Sequence, residues 1–241
     1  MQWWGVAVAA IGGGIVHTIT GFGAGIVMMA ILPYFFGMIK APAISSVICC
    51  CLSFMLAWKY RKLLRWKLIL LPAVIYISAS VLTINSIQHF DLKLLGILFG
   101  SFLILLCIYY LFFANRFAIP ESAGVLAACS AFSGVTAGLF GIGGPLMAIC
   151  FLMRTENRES YTGNLQTLFM LTGMSSLITR IANGIFTIDM IPAVVLGFVS
   201  IRFGKWIGTK VAERMDAERL KKIIYLFVGF SGVLTLAEHI W

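Results

Sequence analysis

The chain carries two glycine-rich stretches, Gly21-Phe22-Gly23-Ala24-Gly25 and Gly141-Ile142-Gly143-Gly144-Pro145, set 120 residues apart in apolar surroundings. Glycine has no Cβ, so backbone N–H groups can come close to a ligand and the chain can turn sharply. Pro145 suits the first turn of a helix, where its missing N–H leaves nothing unpaired. Each stretch therefore predicts a helix that starts inside apolar sequence. A helix start carries about half a positive charge and several free N–H groups, which together attract anions. The chemistry this points to is binding of an anion by backbone donors.

Polar side chains beside the glycines extend that site. Thr18 and Thr20 precede the first stretch, and Ser133 and Thr136 precede the second. Ser45 and Ser46 lie early in the segment after the first stretch, and Thr162, Asn164 and Gln166 early in its counterpart. Hydroxyls and amides bond oxyanion oxygens without a tight counter-charge; the competing role for each hydroxyl is a bond to its own helix carbonyl. The candidate substrate-binding set is Thr20, Gly21, Phe22, Gly23, Gly25, Ser45, Ser46, Gly141, Ile142, Gly143, Gly144, Pro145, Thr162, Asn164 and Gln166. His17, one turn before Gly21, is the ionisable candidate for a proton or anion contact. Its alternative is a buried neutral imidazole bonded to a carbonyl.

Other chemistry is missing. The six cysteines, Cys49, Cys50, Cys51, Cys107, Cys129 and Cys150, fall in apolar runs without zinc-type pairing. They read as small polarizable core residues, with sulfur handling by the Cys49-Cys50-Cys51 run as the alternative. No nucleophile–base set or metal cluster is visible, which predicts no enzyme, no catalytic residue, no metal and no cofactor. The carboxylates Asp91, Glu121, Glu156, Glu159, Asp189, Glu213, Asp216, Glu218 and Glu238 all sit at loops or helix ends. That argues against a cation pump and a carboxylate proton relay. It leaves uniport, substrate-borne protons, or coupling to a proton or a backbone-bound cation such as sodium.

The elements that position these residues belong to a membrane. Of the 241 residues, 61% are hydrophobic and 11% charged, against about 25% charged in a soluble domain. The apolar start, Met1 to Ile11, reads as a retained membrane segment. Trp3, Trp4, Trp58, Trp66, Trp206 and Trp241 mark segment ends, as an interfacial belt requires. The net charge of +9 is concentrated in Lys59, Arg61, Lys62, Arg65 and Lys67, and in Lys205, Lys210, Arg214, Arg219, Lys221 and Lys222. Placed there it marks cytoplasmic loops rather than a nucleic-acid surface.

Ten helical segments are expected: 3–19, 22–36, 41–58, 67–87 and 92–114, then 122–139, 142–153, 159–180, 188–209 and 217–239. The 12 residues from Ile142 to Met153 span only about 18 Å, short of a hydrocarbon core roughly 30 Å thick. With 122–139 they form either a re-entrant hairpin or a broken span. At the offset of 120, Gly14 meets Gly134, Gly21 meets Gly141, Gly23 meets Gly143, and Pro72-Ala73-Val74 meets Pro192-Ala193-Val194. The fold expected is an all-α polytopic membrane protein of two inverted-topology repeats, residues 1–118 and 119–241, each of about five helical segments. With loop 59–67 in the cytoplasm, both termini face outward. Only Lys40, Lys93 and Arg180 then lie outside, with Arg180 snorkelling to the outer face and Arg202 to the cytoplasmic half. Paired breaks in such halves point to a transporter's binding site. Gly96-xxx-Gly100 and Gly204-xxx-Gly208 read as close helix packing.

On Gly141-Ile142-Gly143-Gly144-Pro145, the preceding Ser133-Gly134-Val135-Thr136-Ala137-Gly138 and the first-half glycines, the chain resembles the sulfite exporter TauE/SafE family, also grouped as toluene sulfonate uptake permeases. The resemblance spans nearly the whole chain. It implies movement of small sulfur-containing or carboxylate organic anions, such as sulfite and sulfonates, across a bacterial cytoplasmic membrane. Gly141, Gly143, Gly144 and Pro145 would form its core motif. The first half departs from it, with Ala24 and Gly25 where Gly144 and Pro145 stand. The resulting expectation is a secondary carrier that exports a small oxyanion by alternating access. Its partners are the anion, the lipid bilayer and a coupling ion, with a homo-oligomer compatible and nucleic acid excluded. The rivals are uptake of organic acids or dicarboxylates, and a membrane assembly protein that transports nothing.

Overall fold

Long apolar runs fold as helices because a helix satisfies its own backbone hydrogen bonds and so tolerates lipid. The computed structural model describes residues 2–113, 122–214 and 217–240, and the side chains of 212–221 are not described. Arg116, Glu121, Asp216, Trp241 and the expected repeat boundary at 118/119 therefore lie outside the described residues, as do the Glu213, Arg214, Glu218, Arg219 and Lys221 side chains. Among the described residues there are ten α-helices and no strand: α1 (Gln2–Thr20), α2 (Ala24–Met29), α3 (Pro33–Lys59), α4 (Trp66–Ser86), α5 (Leu92–Ile108), α6 (Ala123–Phe140), α7 (Gly144–Leu152), α8 (Arg158–Ala182), α9 (Ile191–Arg214) and α10 (Ala217–Ile240). Six of the helical segments are long and apolar enough to cross a membrane: those of α1, α3, α4, α5, α6 and α9. The chain is a multi-pass membrane protein by this architecture.

The expected segment 22–36 is more broken than its sequence suggests. Its first helix stops at Met29, and Gly37 (φ 73, ψ 168) separates the turn at Pro33 from the rest of α3. That backbone conformation is essentially restricted to glycine.

Pairing among the helices is reciprocal between the halves. α1 packs on α9, and α6 on α4; α3 packs on α8, and α5 on α10. Glycines make the close approaches. A Cβ on Gly14 would lie 2.4 Å from the Ile201 carbonyl oxygen, and one on Gly134 2.4 Å from that of Tyr76. Gly96, Gly100, Gly204 and Gly208 are likewise helix contacts, as small-xxx-small spacing predicts.

Two helical hairpins define the interior. In the first, Gly5 faces Phe35 and Gly13 faces Ala24 and Met28, so the chain after Thr20 runs back along α1. In the second, Arg154 Nη2 donates to the Ser122 carbonyl at 3.4 Å, and Ser130 Oγ lies 3.7 Å from Met147 Sδ. α7 therefore returns toward the start of α6, and the pair forms a helical hairpin. The mouth of the first hairpin, at Trp3 and Phe35, shares a cavity of about 230 Å³ with Lys40 and Asp189. The mouth of the second lies toward loop 60–65, where Arg65 pairs with Glu156.

α8 is built differently. It is less apolar than the other long helices, and the polar side chains that make it so face inward. Asn164, Gln166, Thr167, Thr172, Ser176 and Arg180 are buried, while Met174, Ile178 and Ile181 are exposed. A helix whose outer face is apolar and whose inner face is polar suits the middle of a membrane bundle.

Candidate functional site

Each hairpin tip is made by the same backbone device. α1 ends where Gly21 (φ 79) donates its N–H to the His17 carbonyl at 2.8 Å, and α6 ends where Gly141 (φ 68) donates to the Ala137 carbonyl at 2.8 Å. A left-handed glycine closes a helix because no Cβ opposes that φ. Gly23 (φ 95) and Gly143 then begin α2 and α7. The tips touch: a Cβ on Gly25 would lie 3.2 Å from the Gly141 carbonyl oxygen, and one on Gly144 would lie 3.7 Å from Phe22 Cβ.

A cavity of about 90 Å³ lies at this junction. A water needs roughly 10–15 Å³ by the same measure, so the space suits a few waters or one small oxyanion. Of the sequence-derived candidates, His17, Phe22, Gly23, Gly25, Ser46, Gly141, Ile142, Gly143, Gly144 and Pro145 line it. Those residues come from both halves.

The remaining candidates stand elsewhere. Thr20 Oγ1 is engaged by the Val16 and Phe22 carbonyls. Gly21 is held from behind, its carbonyl accepting from Gln166 Nε2 at 2.9 Å. Gln166 also accepts from Ser53 Oγ at 2.8 Å and lies 3.3 Å from His17 Nε2, so it braces the wall without forming it. Ser45 Oγ is buried with no hydrogen-bond partner and does not line the cavity. Thr162 and Asn164 correct the expectation that they complete the pocket. Thr162 bonds the Arg158 carbonyl of its own helix, and Asn164 accepts from the Arg65 N–H at 2.7 Å, fastening loop 60–65. They lie too early in α8 to reach the hairpin tips.

A larger correction concerns Arg180. It does not snorkel; it is fully buried, with Nη2 donating to the Gly138 carbonyl at 2.8 Å and Nε to Ser176 Oγ at 3.3 Å. The last carbonyls of α6 hold the guanidinium inside the protein, where a helix C-terminus favours a cation. Arg202 lies at an exposed position, near Met55 and Phe198.

The cavity also takes residues that the glycine motifs do not indicate. Tyr76 and Ser80 of α4, Cys49, Cys50 and Ser53 of α3, and Phe169, Thr172, Gly173 and Ser176 of α8 complete its wall. The signal for α8 was its spacing: 169, 172, 173, 176 and 180 form one stripe of a helix, and three of the five are polar. On the opposite side Phe22 meets Tyr110, ring centroids 5.9 Å apart, and Tyr110 stacks on Tyr225 at 4.1 Å. No carboxylate lines the cavity, and no group of three or more metal-ligating side chains occurs among the described residues.

A family model described as sulfite exporter TauE/SafE matches residues 6–235. The chain belongs to the sulfite exporter TauE/SafE family. No curated protein and no solved structure matches it. Membership makes this TauE/SafE protein a membrane transporter in kind, and the glycine stretches that carried the resemblance are the two hairpin tips. At the loop end, the hydrogen bond and charge of Arg65 hold the exposed Glu156 carboxyl below its ordinary range.

Proposed function

We propose that this protein is a secondary transporter of a small sulfur-containing oxyanion, sulfite or an organosulfonate, which it exports across a bacterial cytoplasmic membrane by alternating access. One observation carries the reading: two glycine hairpin tips, one from each half, meet at a small cavity that offers backbone N–H groups and hydroxyls and no carboxylate. The first N–H groups of a helix have no intrahelical acceptor, so the start of α7 at Gly143 and Gly144 presents donors there. α2 is only six residues long, so its dipole contribution is the smaller of the two. The two sides of the pocket are unequal.

The reciprocal helix pairing and the opposed hairpin mouths support two halves, 1–118 and 119–241, inverted relative to each other. In such a fold the halves rock about a fixed central site. The basic loop at Lys59–Lys67 supports a cytoplasmic placement of that end, with both termini outside. Transport needs the cavity to open alternately toward each hairpin mouth, and the contact of Gly25 with Gly141 is the one that must slide or part.

Flux in proteoliposomes tests the proposal. Purified protein should move labelled sulfite or a labelled sulfonate down its gradient, and Gly25→Val, checked to be folded by thermal unfolding, should abolish the flux. Dicarboxylate flux without sulfite or sulfonate flux would support organic-acid uptake instead. A folded wild-type protein that moves none of these anions under any ion gradient would sink the transport reading.

A further inference from the structure

Arg180 is a fully buried cation with no acidic partner; the one ion pair among the described residues is Arg65–Glu156, at the loop end. An unpaired charge in a membrane interior is expensive to keep. Its Nη1 is buried and has no hydrogen-bond partner. The groups it does bond identify its position, because Ala137 and Ser176 both line the cavity. The guanidinium therefore stands directly behind the cavity wall, between α8 and the end of α6.

Ser80 is the second observation at the same place. The residue lines the cavity and is 2% exposed, and its buried hydroxyl has no hydrogen-bond partner. Its carbonyl lies 3.0 Å from the Cβ position of Gly138, whose own carbonyl accepts from Arg180. Ser80 on the wall and the fixed cation behind it thus both border Gly138. Many hydroxyls among the described residues are spent on nearby carbonyls of their own helix; Thr136 and Thr167 are examples. Ser80 is not, although a carbonyl four residues back is available to any serine in a helix.

We infer that Arg180 and Ser80 together form the charge-selecting wall of the cavity: Arg180 draws an anionic substrate in, and the Ser80 hydroxyl donates to one of its oxygens. Arg180 acts through its field and is a selectivity residue rather than a direct ligand. The inference rests on the transport reading for its substrate class and adds the residues that distinguish an anion from a neutral molecule of the same shape.

The test compares wild-type protein with Arg180→Gln, Arg180→Lys and Ser80→Ala, each first shown to be folded by thermal unfolding in detergent. Sulfite KM is measured in proteoliposomes with methanesulfonate, or its neutral isostere methanesulfonamide, as competitor. Wild-type protein should be blocked by the anion and ignore the amide. Arg180→Gln should raise KM on the order of 10- to 100-fold, kcat changing less, and erase the discrimination between competitors. Arg180→Lys keeps the charge and should keep the discrimination. Ser80→Ala should raise KM by roughly 10- to 150-fold, the loss of one hydrogen bond to a charged ligand. Folded Arg180→Gln protein with unchanged KM and discrimination would make Arg180 a helix clamp and overturn the inference. Should Arg180→Gln not fold, loss of discrimination in Arg180→Lys, or an unchanged KM in Ser80→Ala, overturns it equally. Sulfite-induced thermal stabilisation separates the two readings. If wild-type protein moves no anion yet is stabilised by sulfite in an Arg180-dependent way, only the transport reading fails. If sulfite stabilises neither, both fall.

Discussion

Gln166 donates from Nε2 to the carbonyl oxygen of Gly21 at 2.9 Å, so the middle of α8 holds the tip of the first hairpin. Its Oε1 takes the Ser53 hydroxyl, and the same amide nitrogen lies 3.3 Å from His17. One buried side chain thereby ties α8, α3 and the end of α1 together. Gln166→Leu keeps the approximate volume and removes both bonds. Leaving buried groups unsatisfied costs about 1–3 kcal/mol each, so the thermal midpoint should fall clearly and flux with it. Thr162→Ala is the control: its hydroxyl bonds its own helix, and the change should stay within about 0.5 kcal/mol with flux unaltered. Thermal unfolding with proteoliposome flux reads both.

The contrast between Gln166 and Thr162 shows what the sequence could convey. Both stand early in α8 and both looked equally apt for an anion. Sequence gives the periodicity of a helix and so the stripe a residue shares, but not which neighbouring element covers that stripe. The hairpin tips were legible because clustered glycines recur at one offset in apolar sequence, with Pro145 marking a helix start. Arg180 was misread for the complementary reason. Its place near a segment end suggested snorkelling, and only the tertiary fold brings the carbonyls of Ala137 and Gly138 to it. Ser80 and Tyr76 carried no motif, since α4 meets the cavity through its packing on α6 and α8.

The contact between hairpin tips predicts a graded response to size. A Cβ on Gly25 would sit 3.2 Å from the Gly141 carbonyl oxygen, which an adjustment of a few tenths of an ångström accommodates. Gly25→Ala should therefore fold and transport more slowly, whereas Gly25→Val should overpack the junction by about 1–3 kcal/mol and stop flux. Gly143 is stricter. Its Cβ would lie 2.0 Å from Tyr76 Oη and 2.5 Å from the Ser133 carbonyl oxygen. Gly143→Ala should already abolish flux, and adding Tyr76→Phe should not restore it, because the Ser133 obstacle is backbone. Recovery of flux in that double variant would count against this geometry.

Arg65 and Glu156 predict a pH dependence at the loop end. Arg65 Nη2 donates to Glu156 Oε1 at 2.7 Å, and the pairing holds the carboxyl below its ordinary value of 4.5. A depressed folded pKa contributes stability above the unfolded value, and the contribution is lost as pH falls through the lower folded value. Both side chains are exposed, so the effect is small and screened by salt. Glu156→Gln should match wild type in thermal midpoint near neutral pH under high salt. It should lack the part of the acid-side decline that belongs to this pair, seen by scanning the midpoint between about pH 3 and 7 at low salt. An acid limb identical to wild type would show that the pair contributes nothing.

His17 is the histidine on the cavity wall itself, and its Nε2 lies 3.3 Å from the Gln166 amide nitrogen. An amide nitrogen is a donor, so the contact is favourable when Nε2 is unprotonated and accepts. Protonation would break the His17–Gln166 contact and place a positive charge on the cavity wall. That charge favours an anion over an empty cavity. Wild-type flux should therefore respond to acidification more steeply than flux through His17→Asn, which keeps a polar side chain and cannot titrate. Taking the ratio of the two proteins at each pH cancels the titration of the substrate. A ratio that stays constant from about pH 4 to 8 would remove His17 from the proton side of the mechanism. It would leave the residue as a hydrogen-bonded part of the wall.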